Sequence, residues 1–276
     1  MLIERLTLPA LDLPLEARLH RPDGPGPAPL VILAHGFKGF MDWGPWPWLG
    51  ARLAEQGIAM LRFNFSHNGI GPEPEQFTEF DRFQANTFTR EVAEMGAALQ
   101  AGARLPGIDP DRIVLLGHSL GGAMALLAAA AAPRQVRGVV TWAGVAGLEG
   151  LLGFRDRIAD WRRDGFLEVK NARTGQDMRV GVALLDDFEA HRQALDVPAA
   201  VRGLVAAGLP VLAIQGAIDL AVRPEQGQRL AQAGARLILV PDGDHTFGAR
   251  HPFQAEPPEP LRTALAGTLE LLRSIR

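Results

Sequence analysis

Ser119 lies in Gly117-His118-Ser119-Leu120-Gly121 and is one of only three serines in the chain. A serine hydroxyl is a weak nucleophile alone. It needs a base within hydrogen-bond reach, an acid that orients the base, and donors for a developing oxyanion. The apolar run Arg112-Ile113-Val114-Leu115-Leu116 precedes the motif, and an Ala/Leu-rich stretch follows Gly122. Strand, sharp turn and helix are the context in which G-x-S-x-G acts as a nucleophile elbow. The turn lifts the hydroxyl above the sheet, and the flanking glycines let neighbouring backbone approach. The competing reading is a glycine-rich turn with a bystander serine.

With the order serine, acid, histidine, the base belongs in the loop after the last strand. Leu237-Ile238-Leu239-Val240 reads as that strand, and Pro241-Asp242-Gly243-Asp244-His245 as the loop, so His245 is the expected base. His251 is the alternative. His20, His35, His67, His118 and His191 read as turn, packing or surface residues. The acid belongs after the preceding strand. Val211-Leu212-Ala213-Ile214-Gln215 leads into Gly216-Ala217-Ile218-Asp219, which singles out Asp219. Asp186, Asp187 and Asp196 lie upstream and are weaker choices; Asp242 and Asp244 read as turn residues. The oxyanion donors are expected from the backbone. One is the Leu120 N–H, directly after the nucleophile at a helix start. The other is the Phe37 N–H in the loop His35-Gly36-Phe37-Lys38-Gly39. Lys38 follows no phosphate-binding glycine pattern and reads as a solvated side chain.

These residues need strands to carry them. Segments 2–8 and 15–21 read as strands, followed by a Pro/Gly-rich turn at 21–27. Leu30-Val31-Ile32-Leu33-Ala34 reads as a strand buried on both faces. A helix at 46–56, a strand at 58–65 and a long helix at 79–101 follow. Strand 112–117, helix 120–132 and strand 136–142 complete the first half. The same alternation resumes with strand 210–215, helix 224–233, strand 237–240 and helix 258–273. Alternation of this kind predicts an α/β fold with a mostly parallel central sheet and helices on both faces.

Residues 148–208 break the alternation. Two short strand-like runs, 166–170 and 178–182, suggest a hairpin around 171–175, with helical pieces on either side. This stretch is expected to form a cap or lid inserted in a single domain spanning 1–276; the competing reading is an extra structural layer. Its aromatics Phe154, Trp161, Phe166 and Phe188, together with Trp43, are candidate pocket residues. Trp43, Trp46 and Trp48 read mostly as packing for the first helix. His67-Asn68-Gly69-Ile70-Gly71 reads as a turn near the site mouth.

Composition narrows the partners. With 276 residues, 47% hydrophobic and 21% charged, the chain has ordinary globular composition. Net charge is −3 with no long run of either sign, which disfavours nucleic-acid or anionic-membrane surfaces. There is no cysteine, so disulfides and thiolate chemistry are excluded. No basic leader with an apolar core opens the chain, and no apolar run is long enough for a membrane span. A cytoplasmic location is expected.

Taken together, the four motifs resemble those of the α/β-hydrolases over nearly the whole chain: the His35-Gly36-Phe37 loop, the elbow, the Gly216–Asp219 turn and the His245 loop. Within that superfamily, the Arg62-Phe63-Asn64-Phe65 strand end and the insertion look most like the dienelactone-hydrolase-like and feruloyl-esterase-like branch. Dienelactone hydrolases proper use cysteine, so Ser119 shifts the expectation to ester hydrolysis. Dehalogenase relatives carry aspartate at the elbow. The resemblance implies a serine carboxylesterase for small or aromatic acyl esters, working on a small-molecule substrate with neither metal nor organic cofactor. A thioesterase or serine peptidase would use the same triad. A non-catalytic binding module on the same scaffold is the alternative of another class.

Overall fold

The computed structural model describes residues 2–73, 75–171, 174–254 and 256–275, and the side chains of 151–155 lie outside the described residues. The chain opens with strands β1 (Leu2–Leu8), β2 (Leu15–Arg21) and β3 (Ala28–Ala34). Helix α1 (Trp46–Glu55) and strand β4 (Ala59–Phe63) follow, then α2 (Phe80–Gln84) and α3 (Phe88–Gly102). Next come β5 (Ile108–His118), α4 (Leu120–Ala131) and β6 (Gly138–Trp142). The inserted stretch holds α5 (Phe154–Asp164), the strands β7 (Phe166–Lys170) and β8 (Asp177–Gly181), and α6 (Val182–Ala190). Then α7 (Val197–Ala206), β9 (Val211–Gly216), α8 (Pro224–Gln232), β10 (Arg236–Val240) and α9 (Glu259–Ser274) close the chain.

Eight strands form one sheet in the order β1-β2-β4-β3-β5-β6-β9-β10. β1 and β2 pair antiparallel, and β2 meets β4 antiparallel; from β4 to β10 every pairing is parallel. This is the α/β-hydrolase architecture. Parallel strands under helices on both faces must be apolar throughout, and β4, β6 and β9 are buried along their whole length. One face packs on α3, α4 and α7, the other on α1 and α9. α4 is apolar almost all round because it lies beneath both α3 and α7. Among the described residues no helix is long and apolar enough to cross a membrane.

Three features differ from the sequence reading. The long helix at 79–101 is two helices. Thr87 is extended (φ −137°, ψ 158°) and its side chain accepts from the Arg90 N–H, so it starts a new helix at Phe88. The helix 197–206 is no part of an overlying layer: α7 packs on α4 and β9 as a crossover helix of the sheet. The hairpin lies one residue earlier on its second strand, with Phe166 opposite Gly181; residues 172–173 of its turn lie outside the described residues.

Candidate active site

The site gathers at the carboxyl ends of β3, β5, β9 and β10. β5 ends at His118, and α4 starts at Leu120. Ser119 between them has φ 55° and ψ −121°, a conformation costly for any residue with a Cβ. Three backbone bonds hold it there: Ser119 N–H to Trp142 O at 2.9 Å, Gly122 N–H to Ser119 O at 3.0 Å, and Val145 N–H to Ser119 O at 3.3 Å. The turn closes only around glycine. A Cβ on Gly121 would lie 2.3 Å from the Ala34 carbonyl oxygen, and one on Gly117 2.1 Å from that of Gly121.

The loop after β3 comes up against the elbow from the side. A Cβ on Gly36 would sit 2.9 Å from the Ser119 Cβ. His35 fixes this loop from within. Its Nδ1 lies 3.0 Å from Gly36 O, and its Nε2 accepts from the Phe65 N–H at 3.4 Å and faces the Asn68 amide at 3.3 Å. Complete burial pushes its pKa down to about 4, so it is a neutral strut. Among the described residues neither the Phe37 nor the Leu120 N–H makes a backbone hydrogen bond. Leu120 follows Ser119 directly in the chain, and Phe37 follows Gly36, the residue that packs against the Ser119 Cβ.

Asp219 is buried at the turn after β9. Its Oδ1 accepts from the N–H groups of Ala221 and Val222, each at 2.8 Å. Its Oδ2 accepts from His245 Nδ1 at 2.9 Å and from the Gln215 amide at 3.2 Å. Burial alone would raise the carboxyl pKa. The His245 hydrogen bond and charge, with the Val222 and Ala221 N–H groups, outweigh it and hold Asp219 below its ordinary value. An ionised carboxylate only accepts, so His245 carries its proton on Nδ1 and leaves Nε2 with a lone pair. His245 also accepts at its carbonyl from His118 Nε2, at 2.8 Å. Among the described residues no hydrogen bond joins its ring to the Ser119 hydroxyl; such contacts tighten when a substrate binds.

The other candidates take different places. His251 accepts from the Gly44 N–H at 3.0 Å, meets Glu75 at 3.1 Å and stacks on Trp43, so it is a loop anchor. Asp244 ties the histidine loop by accepting from Thr246 and Gly248 N–H, and Asp196 caps α7. Asp187 accepts from Thr89, and Asp186 pairs with Arg162. Lys38 is half-exposed, and its Nζ donates to the Lys170 carbonyl at 2.7 Å, joining the loop after β3 to the inserted hairpin. Burial lowers its pKa.

Of the pocket candidates, Trp161 is fully buried with its indole N–H on Val180 O at 2.9 Å, which makes it the core of the inserted segment. Trp43 packs on Trp46 and His251, and Phe166 lies under the Arg179 guanidinium. The Phe154 side chain lies outside the described residues. Phe188 lines a cavity of about 430 Å³, with Ala146, Gly147, Leu185 and Arg192 on its wall. Ala146 adjoins Val145, whose N–H holds the Ser119 carbonyl.

Two further residues touch the site: Gln215, which the sequence reading gave no role, and His118, which it placed among turn, packing or surface histidines. Gln215 was detectable as a polar residue ending an otherwise apolar buried strand. His118 was visible only as the variable residue of the elbow motif.

With this geometry in place, likeness to known proteins becomes informative. The model of the alpha/beta hydrolase family matches residues 31–262, and the chain belongs to that family. A thiohydrolase, aneE, of Aspergillus aculeatus is 32% identical over 146 residues, which is 50% of this chain and 40% of that protein, so the chain spans less than half the length of that relative. Est1E from Butyrivibrio proteoclasticus, solved with ferulic acid bound, superposes with a TM-score of 0.69 at 21% identity, covering 98% of this chain and 99% of that one. A dienelactone hydrolase from Anabaena variabilis gives 0.63 at 17% identity, covering 99% and 98%. At such identities the two structures attest the fold.

Proposed function

We propose that the chain is a serine hydrolase that cleaves small or aromatic acyl esters through an acyl-enzyme. The observation that carries this reading is the bond of 2.9 Å between buried Asp219 and half-buried His245, together with the strained elbow serine. In the first step Ser119 Oγ attacks the ester carbonyl while its proton passes to His245 Nε2. Asp219 holds the imidazole through Nδ1 and stabilises its charged form. The carbonyl oxygen becomes an oxyanion and accepts from the Phe37 and Leu120 N–H groups. The C–O bond to the alcohol breaks, and the alcohol leaves with the proton from His245. Water then adds to the acyl-enzyme, giving its proton to His245, and the acid departs as Ser119 recovers its own.

The inserted segment supplies the wall for the acyl or alcohol group, and the cavity beside Phe188 is where that group extends. A thioester substrate is the second reading, supported by the thiohydrolase relative. Rates on a p-nitrophenyl ester, an acyl-CoA and an aminoacyl-anilide separate ester, thioester and amide chemistry. Ser119→Ala should lower turnover of short p-nitrophenyl esters by roughly 10³-fold or more. Full activity in that variant removes the assignment.

A further inference from the structure

His118 ends β5 directly before the nucleophile. The ring is buried between two others: Trp46 at 5.3 Å between centroids and His245 at 4.7 Å. Its Nδ1 faces the loop after β3, 3.4 Å from where a Cβ of Gly36 would be. Its Nε2 lies 2.8 Å from the His245 carbonyl oxygen. That oxygen can only accept, so Nε2 must carry the proton. The titratable groups facing it are His245, Asp219 and His35. Burial first, then the neighbouring His245 charge, pushes its pKa down to about 3, against the opposing pull of the carbonyl and of Asp219. The ring is therefore neutral wherever the triad can work. It adds no positive charge beside the imidazolium that His245 becomes.

His245 is thereby held at two points. Asp219 grips the ring at Nδ1, and His118 grips the backbone carbonyl of the same residue. The loop is also tied on either side of the histidine, by the Ile218 N–H on Gly243 O, the Phe247 N–H on Asp244 O, and the Thr246 and Gly248 N–H groups on the Asp244 carboxylate; the bond to the His245 carbonyl itself comes from His118. One carboxylate bond alone lets a ring swing about its Cα–Cβ axis; a second anchor on the main chain fixes where that axis starts.

Resting on the serine-hydrolase reading, we propose that His118 is a positioning residue: its Nε2–H holds the His245 main chain and so sets the spacing between the base and the hydroxyl of its own chain neighbour, Ser119. Nucleophile and base sit on loops more than 120 residues apart, 119 against 245. His118 ties the second loop to the rigid end of β5 from which the first one springs. An offset of about 1 Å in a reacting pair can reduce the rate about 100-fold, so the anchor acts on turnover and leaves substrate affinity alone.

The experiment compares His118→Phe, which keeps an aromatic ring and removes the donor, with His118→Gln, whose amide can put an N–H near the same point. Rates on p-nitrophenyl butyrate, pH profiles of kcat/KM, fluorophosphonate labelling of Ser119 and thermal melts are measured for both. His118→Phe should lower kcat about 10- to 100-fold with KM changed less than threefold, slow labelling by the same factor, and displace the acid limb of the pH profile. His118→Gln should recover most of the kcat and the wild-type profile. The proposal is overturned if His118→Phe keeps kcat within twofold, if its loss merely follows the unfolded fraction seen in the melt, or if His118→Gln is no better. Wild-type protein that takes no fluorophosphonate label at all overturns the hydrolase reading and this proposal with it, an outcome visible before any variant is made.

Discussion

The strand-end loops and the inserted segment hold their side chains by different means. At the strand ends every candidate is fixed several times over. Asp219 takes four hydrogen bonds, from Ala221, Val222, His245 and Gln215. His35 is bonded through both ring nitrogens. Ser119 is pinned by Trp142 and Val145 on the neighbouring strand and its loop. The inserted segment instead has a small core of its own, with Trp161, Leu167, Met178 and Val180, and an outer face of ion pairs such as Arg162–Asp186 and Arg163–Asp160. Exposed pairs of that kind contribute little to stability. Its polar links to the body include Asp187 on Thr89, Gln176 on Phe77 O and Lys38 on Lys170 O. Chemistry that needs sub-ångström placement belongs on the first region. The second rests on a small core and a few polar links, which suits the substrate-facing wall proposed for it.

The largest effect should come from the over-determined region. Asp219→Asn keeps the shape but offers a donor amide where His245 needs an acceptor. It should lower kcat by about 10³- to 10⁴-fold on p-nitrophenyl butyrate, with melting little changed. A fall below tenfold would show that the buried pair does not drive turnover.

Removing the insertion should act differently. A cut through 150–205 would take α7 off α4 and β9, so the informative deletion ends at 195, closed with a Gly/Ser linker. It should shift the preference between acetyl and aromatic acyl esters by tenfold or more, while p-nitrophenyl acetate turnover stays within about tenfold. Uniform loss on all esters would mean that the segment is a structural layer.

Lys38→Met cuts one link between the two regions. It should change kcat by about three- to tenfold through the Phe37 loop, and Lys38→Arg should restore part of it. Identical kinetics in all three proteins would show that the two regions work independently.

The smallest effect lies in α3, which backs the insertion through Phe88 and Phe188. Burial pushes the Glu91 carboxyl up to about 8, while the Asn86 amide pulls it down and Glu94 pushes it further up. The folded state therefore binds a proton that the unfolded chain gives up at its ordinary carboxyl value. The resulting stability is fully present below that ordinary value and is lost as pH rises through about 8. Glu91→Gln, neutral at every pH, should lose less Tm between pH 5 and pH 8.5 than the wild type. Parallel Tm curves would contradict the assignment.

Much of the site was legible because its signals are local. A strained turn needs glycine at fixed offsets, which marked Ser119; a strand followed by Gly and an acid marked Asp219; a histidine just beyond the last apolar run marked His245. The helix break at Thr87 was partly legible, since threonine is a strong cap, but helical periodicity on both sides hid it. The pocket aromatics were not legible. Composition says that Trp161, Phe166 and Phe188 are apolar, and only packing decides which is core, which is outer surface and which borders a cavity.

The division follows from range. By itself the sequence determined what neighbours along the chain can enforce: the alternation of strand and helix, the elbow, and the order of the three candidate site residues. Tertiary structure alone decided what depends on pairs far apart in the chain. Lys38 found Lys170, His118 found the carbonyl of His245, and Thr89 found Asp187. Buried His118 had to find a partner because the fold removed its water, and nothing in local spacing says which partner that is.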